Sequence, residues 1–209
     1  TDQWELPWYK IGTNANNYPL YLAKAFSLAA QHAPSMKYIY NEAYGPEYTN
    51  TWNKIKTTII NHLRGTHGLR VDGIGWQAHL GGSSDYSPTN LQHLRDLIDW
   101  AHNNNLEFHV TEMDDRTPNG VWEYDEQAQH YKDILGVLLQ KRNNGVVGFN
   151  MWHLDPYASW HPPHDVIFDE DWAAKPAYYA IQDTLEAVGR QHLQLEPGDG
   201  GSDPAQNIV

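Results

Sequence analysis

The segment Leu106-Glu107-Phe108-His109-Val110-Thr111-Glu112 decides the fold, because it is a short strand-forming run that ends in a carboxylate. Amphipathic helical patterns precede and follow it, so one strand lies between two helices. The helical faces are Leu91, Leu94, Ile98 and Ala101 before the strand, and Ala128, Tyr131, Leu135 and Leu138 after it. This order predicts a βα module, in which successive strands run parallel.

The same alternation extends over most of the chain. Strands are predicted to end near Glu42, His79, Glu112 and Trp152, at intervals of 33 to 40 residues. That spacing is close to the roughly 31 residues per module of a (β/α)8 barrel. The other predicted helices lie near residues 18–31, along Trp52, Ile55, Ile59 and Leu63, and from Pro176 along Ala177, Ala180, Ile181 and Thr184.

Only four strands are visible, whereas a barrel closes with eight. The predicted fold class is therefore α/β, with residues 1–190 forming four βα modules of a (β/α)8 TIM barrel whose first four strands lie elsewhere. Residues 191–209 have the composition of a tail or linker, rich in glycine, proline and aspartate. Because the chain opens on Thr1 without a basic and apolar leader, we expect a processed or excised piece.

Composition argues against several classes of function. Asp and Glu number 26 against 14 Lys and Arg, and the net charge of -12 disfavours a nucleic-acid or anionic-membrane partner. No apolar run approaches the roughly 20 residues of a membrane span. The absence of cysteine removes disulfides, thiolate metal sites and cysteine nucleophiles. Asp72-Gly73-Ile74-Gly75 lacks the third glycine of a dinucleotide motif and the Gly-Lys of a phosphate loop, which argues against both of these nucleotide sites.

A histidine-rich stretch contains His153, His161, His164 and Asp165. Imidazole and carboxylate together ligate zinc, but Pro162-Pro163 imposes an irregular loop without the regular ligand spacing of closed metal sites. We therefore predict no metal site and a solvated or sugar-contacting loop in its place.

Amphipathic aromatic residues are abundant, with 9 Trp and 13 Tyr beside 4 Phe. Their flat apolar faces and polar edges suit stacking on sugar rings, and ordinary packing is the alternative for each of them.

Polar side chains gather at the predicted strand ends, where the loops of a barrel converge over its mouth. The set consists of Asn41, Glu42, Gln77, His79, Glu112, Asp114 and Trp152. A carboxylate that ends a buried strand is costly unless it is hydrogen-bonded or used, which makes Glu112 the most informative residue. As a glycosidase nucleophile it would be held ionised by donors such as His79 and Gln77. The alternatives are an ion pair at the barrel rim for Glu112 and a hydrogen-bonded core position for His79.

Two strand segments carry a family resemblance, Val71-Asp72-Gly73-Ile74-Gly75-Trp76-Gln77-Ala78-His79-Leu80 and Val110-Thr111-Glu112-Met113-Asp114. They resemble the sixth-strand and seventh-strand motifs of the family 10 glycoside hydrolases, the retaining endo-β-1,4-xylanases. Other similar segments are Pro7-Trp8-Tyr9-Lys10-Ile11-Gly12, Met151-Trp152, Ser159-Trp160, Phe168-Asp169 and Lys175-Pro176-Ala177-Tyr178. The resemblance extends from about Trp4 to Leu185, and the order and spacing of the motifs make it specific.

The resemblance implies strands five to eight of the barrel, hydrolysis of xylan without a cofactor, and a secreted or cell-surface location. It implies that Glu112 is the nucleophile and that Gln77 and His79 contact the sugar or orient the nucleophile. The further substrate contacts that it implies are Asn41, Tyr44, Trp152 and Trp160. The chain departs from the family pattern at His153, at Asp115 and in Asn41-Glu42-Ala43-Tyr44.

Retaining hydrolysis needs a second carboxyl group about 5–5.5 Å from the nucleophile. Asn41-Glu42 resembles the Asn-Glu acid/base pair that ends strand four in related barrels. However, one predicted strand separates Glu42 from Glu112, whereas two lie between strands four and seven. We therefore predict that the acid/base lies in the N-terminal half of the barrel, a separate chain or segment, and that hydrolysis requires both halves.

Other functional classes make different predictions. A β-1,4-glucanase of similar fold would accept the C6 hydroxymethyl group that xylose lacks. A noncatalytic polysaccharide-binding half barrel would keep Trp152 and Trp160 but dispense with Glu112. A structural or assembly module would show no polar cluster at the strand ends.

Overall fold

The computed structural model describes residues 8, 11–14, 18–81, 87–117, 123–159 and 164–195. Helices and strands alternate along the chain, as the periodicity predicts. The elements are α1 (Leu20–His32), β1 (Ile39–Glu42), α2 (Thr49–Lys54), β2 (Gly73–Trp76), β3 (His79–Leu80), α3 (Pro88–Asn103), β4 (Glu107–Asp115), α4 (Tyr124–Lys141), β5 (Val147–Met151) and α5 (Pro176–Leu195). Helix α2 continues through two π-helical turns, Ile55–Ile60 and His62–Thr66.

The strands form one parallel sheet in the order β1-β2-β4-β5, and the two-residue β3 pairs with the end of β4. This confirms the α/β class and part of a barrel. Among the described residues β1 pairs only with β2 and β5 only with β4, so the sheet is not closed. None of the described helices is both long and apolar enough to cross a membrane.

One face of the sheet packs against the helices. Side chains alternate along each strand, so Ile74 and Trp76 on β2 lie level with Phe108 and Val110 on β4. All four are buried and belong to one hydrophobic core with residues of α2, α3 and α4. The helical contributions include Ile55, Leu63, Leu94, Ile98, Tyr131, Ile134 and Leu138. Burial of this face fixes the register, because a slip of one residue would expose every core side chain of a strand.

The opposite face combines polar side chains with glycine. Asn41, Gly75, His109 and Gly148 lie side by side across the four strands. A Cβ atom on Gly75 would lie 2.7 Å from Asn41 Oδ1, and one on Gly148 would lie 2.1 Å from His109 Nδ1. Side chains of β1 and β4 therefore occupy the space over β2 and β5. This alternation is typical of a barrel interior, whose layers take side chains from every second strand.

Several predicted boundaries differ from the structure, and β4 continues past its predicted end at Glu112 to Asp115. The strand predicted to reach His79 is interrupted at Ala78, whose positive φ of 62° separates β2 from β3. Helix α5 extends to Leu195, because the helix-breaking residues Pro197 and Gly198 come only later. The first residues of the predicted tail, 191–209, are therefore helical, and the division of the chain at residue 190 stays a prediction.

Candidate active site

Four of the polar residues predicted at the strand ends meet at the carboxyl edge of the sheet, namely Asn41, His79, Glu112 and Asp114. Asn41 lies near the end of β1, His79 begins β3, and Glu112 lies in the second half of β4, three residues before its end. Because β1, β2 and β4 are parallel neighbours, their carboxyl ends open on the same side. Side chains from three separate modules therefore converge.

Glu112 is held by a donor on each of its carboxylate oxygens. Asn41 Nδ2 donates to Glu112 Oε1 at 2.8 Å, and His79 Nε2 lies 3.2 Å from Glu112 Oε2. The predicted contact between His79 and Glu112 is thus present. Hydrogen bonds to both oxygens stabilise negative charge on the carboxylate and fix its orientation. About a fifth of the Glu112 side chain remains exposed, at 19%.

His79 lies between two carboxylates. Its Nδ1 is 3.0 Å from Asp114 Oδ1, on the side away from Glu112. Burial alone would lower the pKa of His79, but its hydrogen bonds and charge interactions with Asp114 and Glu112 outweigh that effect and raise the pKa. Ionised carboxylates can only accept hydrogen bonds, so His79 can donate to both of them only as an imidazolium, which carries a proton on each ring nitrogen.

The backbone at Ala78 aims the His79 ring at Glu112. Ala78 is fully buried and has φ of 62°, a conformation that non-glycine residues seldom adopt. After this turn His79 pairs with Asp114 across β3 and β4, and the Asp114 N–H donates to the Ala78 carbonyl at 3.3 Å. Strained backbone of this kind persists where surrounding contacts fix it.

Asn41 is itself oriented by β4. Thr111 Oγ1 donates to Asn41 Oδ1 at 2.8 Å, which leaves the amide nitrogen directed at Glu112. The amide orientation follows from this network, because only its nitrogen can donate to a carboxylate. Asn41 is therefore an orienting neighbour of Glu112, whereas its predicted sugar contact stays a prediction.

The predicted aromatic contacts have different outcomes. Trp152 is 40% exposed and stands edge-on to His79, with ring centroids 5.8 Å apart and an interplanar angle of 83°. The backbone N–H of Trp152 donates to the Met113 carbonyl, which ties the segment after β5 to β4. Tyr44 is also exposed and has its ring 5.1 Å from that of Tyr48. Trp160 lies outside the described residues.

Gln77 takes part through its backbone. Its N–H donates to the Glu42 carbonyl at 2.9 Å, and its carbonyl accepts from the Glu112 N–H at 3.1 Å. Gln77 thereby joins the ends of β1 and β4, and the sugar contact predicted for its side chain stays a prediction.

Glu42 points away from the other polar residues. Its Oε1 accepts from the N–H groups of Ala43 and Tyr44, and Tyr40 donates its hydroxyl to Oε2 at 3.5 Å. Tyr40 and Glu42 share one face of β1, and the intervening Asn41 occupies the other. This geometry agrees with the strand count against Glu42 as the acid/base.

Asp114 and Thr111 were not assigned a role from the sequence. Asp114 anchors the far side of His79, and Thr111 anchors Asn41. The spacing of Glu112 and Asp114 was a usable signal, since residues i and i+2 of a strand share a face.

In the histidine-rich stretch, His161 lies outside the described residues. Within the described parts of the chain, no group of three potential ligands is placed to hold a metal ion.

The chain resembles known proteins over most of its length. The family described as Glycosyl hydrolase family 10 matches residues 8–184. Endo-1,4-beta-xylanase B of Thermotoga neapolitana is 31% identical over 189 residues, covering 86% of this chain and 51% of that protein. Exoglucanase XynX of Acetivibrio thermocellus is 28% identical over 174 residues, covering 81% of this chain and 15% of that protein.

Solved structures agree with the sequence comparisons. Xylanase 10B of Thermotoga petrophila, solved in complex with xylobiose, superposes with a TM-score of 0.71 at 28% identity. The match covers 88% of this chain and 55% of that one. The chain thus spans about half the length of these two xylanases, and its described sheet has the barrel's strand order without its closure.

Proposed function

Because the chain belongs to glycosyl hydrolase family 10, we propose that it supplies strands five to eight of a retaining endo-β-1,4-xylanase. In this proposal a "complete barrel" is this chain together with four N-terminal βα modules of the family. The complete barrel hydrolyses internal xylosidic bonds of xylan, in a secreted or cell-surface location.

One observation carries the proposal. The Glu112 carboxylate lies at the carboxyl end of β4 with Asn41 and His79 as donors, one on each oxygen. Such a carboxylate is oriented and remains partly accessible from the open side of the sheet. A merely structural carboxylate at this rim would be paired with lysine or arginine, whereas the contacts found for Glu112 are an amide and an imidazole.

The mechanism follows from these contacts as a double displacement. One Glu112 oxygen attacks the anomeric carbon, a covalent glycosyl ester forms, and the departing sugar oxygen takes a proton from the acid/base. Water then attacks the anomeric carbon of the ester while the same acid/base, now acting as a base, accepts a proton from it, and the bond to Glu112 breaks to release the carboxylate. Asn41 and the imidazolium of His79 stabilise the carboxylate when it is regenerated. No cofactor is needed.

The acid/base belongs to the N-terminal half in this proposal. Glu42, the nearest candidate in sequence, faces away from Glu112 and is held by its own turn. The open edges of β1 and β5 and the polar, glycine-rich face between them are where four further strands would pair and pack. The second half of the barrel is therefore the partner that we propose.

Xylan is favoured over glucan as the substrate, since both the sequence motifs and the xylanase relatives agree on it. The relative named an exoglucanase makes β-1,4-glucan the second candidate. A C6 hydroxymethyl group distinguishes the two polymers, so matched aryl xylobiosides and cellobiosides would separate them.

The test is Glu112→Ala in the complete barrel. Loss of the nucleophile should lower kcat on xylan by more than roughly a thousandfold, since the covalent intermediate cannot form. Xylan binding should persist. Added azide should restore cleavage of an activated aryl xylobioside and yield the inverted glycosyl azide, because the small anion fits the space left by the carboxylate.

Two control variants sharpen this test. Glu107→Ala removes a carboxylate from the opposite end of β4, where Glu107 pairs with Lys37 and His109, and should leave kcat within a few-fold. Glu42→Ala should also retain turnover. Full activity of Glu112→Ala, or activity of this chain without a second half, would refute the proposal.

A further inference from the structure

Lys175 is a buried cation that takes no direct part in the hydrolysis. Lys175 directly precedes α5 and is 2% exposed. Its Nζ donates to the Val166 carbonyl at 2.5 Å and to the His164 carbonyl at 3.4 Å, and it lies 4.3 Å from the centre of the Tyr124 ring. Its own N–H donates to the Ile167 carbonyl at 2.9 Å. Lys175 thus binds the backbone of segment 164–167.

The His164 carbonyl is the point at which this segment meets β4 and α4. It accepts from Thr117 Oγ1 at 2.7 Å and from Gln127 Nε2 at 3.2 Å, in addition to Lys175. Thr117 follows the end of β4, and Gln127 belongs to the first turns of α4. A single carbonyl oxygen therefore joins three parts of the fold.

Segment 164–167 also holds the last residue of β4. The Asp115 N–H donates to the Asp165 carbonyl at 3.3 Å, and the Asp115 carbonyl accepts from Gln127 Nε2 at 2.6 Å. The Asp115 side chain lies 2.6 Å from His130 Nδ1. Asp115 is one residue after Asp114, which anchors His79, and three after Glu112.

We propose that Lys175 is a positioning residue, whose buried ammonium holds segment 164–167 against the end of β4 and thereby keeps Glu112, His79 and Asp114 in place. The expected effect of Lys175 on turnover rests on the proposed function, whereas its expected effect on the structure at the end of β4 does not. It assigns a role to the Lys175-Pro176-Ala177-Tyr178 segment.

Burial makes the charge of Lys175 energetically costly, and three nearby carboxylates partly offset that cost. Burial lowers the pKa of Lys175 to about 8, although Asp165, Asp115 and Asp169 act in the opposite direction. From α4, Tyr124 faces the ammonium, and the side chains of His130 and Glu126 surround Asp115. The Lys175 charge is therefore present at neutral pH and lost within a mildly alkaline range.

The pH dependence of activity and of stability distinguishes a positioning role of Lys175 from a purely structural one. Between pH 8 and the ordinary lysine value of 10.5, the unfolded chain binds more protons at Lys175 than the folded chain does. The contribution of Lys175 to the free energy of unfolding therefore rises with pH in this window. If the Lys175 charge positions the end of β4, activity should fall as this charge is lost between pH 8 and 10.5. Over the same pH range, deprotonation of Lys175 raises the free energy of unfolding, so unfolding is not the cause of that fall.

The experiment compares Lys175→Met and Lys175→Arg with wild type in the complete barrel. The substrate is an activated aryl xylobioside, whose leaving group departs without an acid. Lys175→Met should lower kcat about tenfold or more with KM within about threefold, since small displacements of reacting groups have effects of this size. The alkaline decline near pH 8 should disappear in Lys175→Met and move to higher pH in Lys175→Arg, whose side chain stays charged.

Amide hydrogen exchange provides a readout that does not depend on turnover. In Lys175→Met the amides of Asp115 and Thr117 should exchange at least about tenfold faster at pH 7, because their acceptors lie in segment 164–167. The Phe108 amide, at the start of β4 and bonded to the Val146 carbonyl, should be unchanged.

Lys141→Met is the matched control. Lys141 on α4 pairs with Asp99 on α3 at 2.6 Å, outside the strand ends, so it loses the same charge without affecting β4. Unchanged kcat, pH profile and amide exchange in Lys175→Met would overturn the inference, as would a lower Tm with unaltered kcat. Inactivity of the wild-type complete barrel would refute the proposed function alone, since the exchange measurement would still decide the role of Lys175.

Discussion

Thr111 and Asn41 lie on strands that are not neighbours, yet Thr111 Oγ1 donates a hydrogen bond to Asn41 Oδ1 at 2.8 Å. The strand between them, β2, contributes Gly75, over which the two side chains meet. Contact between every second strand is the packing rule of a barrel interior. It also serves the site, because the same Asn41 amide donates to Glu112.

The absence of a side chain at Gly75 is therefore required. A Cβ in Gly75→Ala would lie 2.7 Å from Asn41 Oδ1 and 2.8 Å from Thr111 Cγ2. We expect a loss of about 1–3 kcal/mol in the free energy of unfolding, measured with urea, and a lower kcat as Asn41 moves from Glu112. Gly136→Ala on α4, where a Cβ meets no atom within 4 Å, should instead add up to about 1 kcal/mol. Equal stability of both variants would contradict the layered packing.

Removal of the Asn41 amide tests its orienting role. Asn41→Ala removes the donor to Glu112 Oε1, and a hydrogen bond to a charged group contributes about 1.5–3 kcal/mol. If the bond strengthens as the carboxylate is regenerated, kcat on xylan should fall about 10-fold to 100-fold. Asn104→Ala removes an amide at the end of α3 and should leave kcat unchanged. An effect on KM alone would assign Asn41 to substrate binding instead.

The titration of His79 reports its two carboxylate partners. Asp114 and Glu112 raise the pKa of His79 against the opposing effect of burial, so Glu112→Gln and Asp114→Asn should each lower it. Side-chain NMR of labelled histidine measures this directly. Because the folded pKa is raised, the stabilisation is complete below the ordinary value of 6.5 and is lost as pH rises through the folded pKa. A His79 pKa that is indifferent to both variants would show that the ring does not bridge the carboxylates.

The backbone at Ala78 offers a test of how His79 is aimed. With φ of 62° and full burial, Ala78→Val should lose several kcal/mol, since a β-branched residue is strongly disfavoured there and has no space. Ala78→Gly should stay within about 1 kcal/mol of wild type, because glycine adopts this conformation freely. Thermal unfolding of both variants measures the difference, and a tolerated valine would exclude strain at this turn.

Local pattern was sufficient for the elements and for the identity of the key carboxylate. Each helix buries one face, and the resulting periodicity of apolar residues predicts α1 and α3. The run of strand-forming residues predicts β4. The carboxylate that follows the apolar positions Phe108 and Val110 indicates Glu112, although β4 itself continues to Asp115. The interruption at Ala78 was not visible, since nothing in the local sequence requires a positive φ at an alanine.

By itself the sequence determined the α/β class, the parallel βα modules of part of a barrel and the contact of His79 with Glu112, because these follow from periodicity and from strand ends on parallel neighbours. Only the tertiary structure decided that Asp114 supports His79, that Asn41 orients Glu112, and that Lys175 is buried beneath the end of β4. These contacts join residues more than 30 positions apart in the chain, or a lysine to backbone carbonyls that carry no side-chain signature. Such pairings depend on how the modules pack, and packing is not encoded in any local stretch of residues.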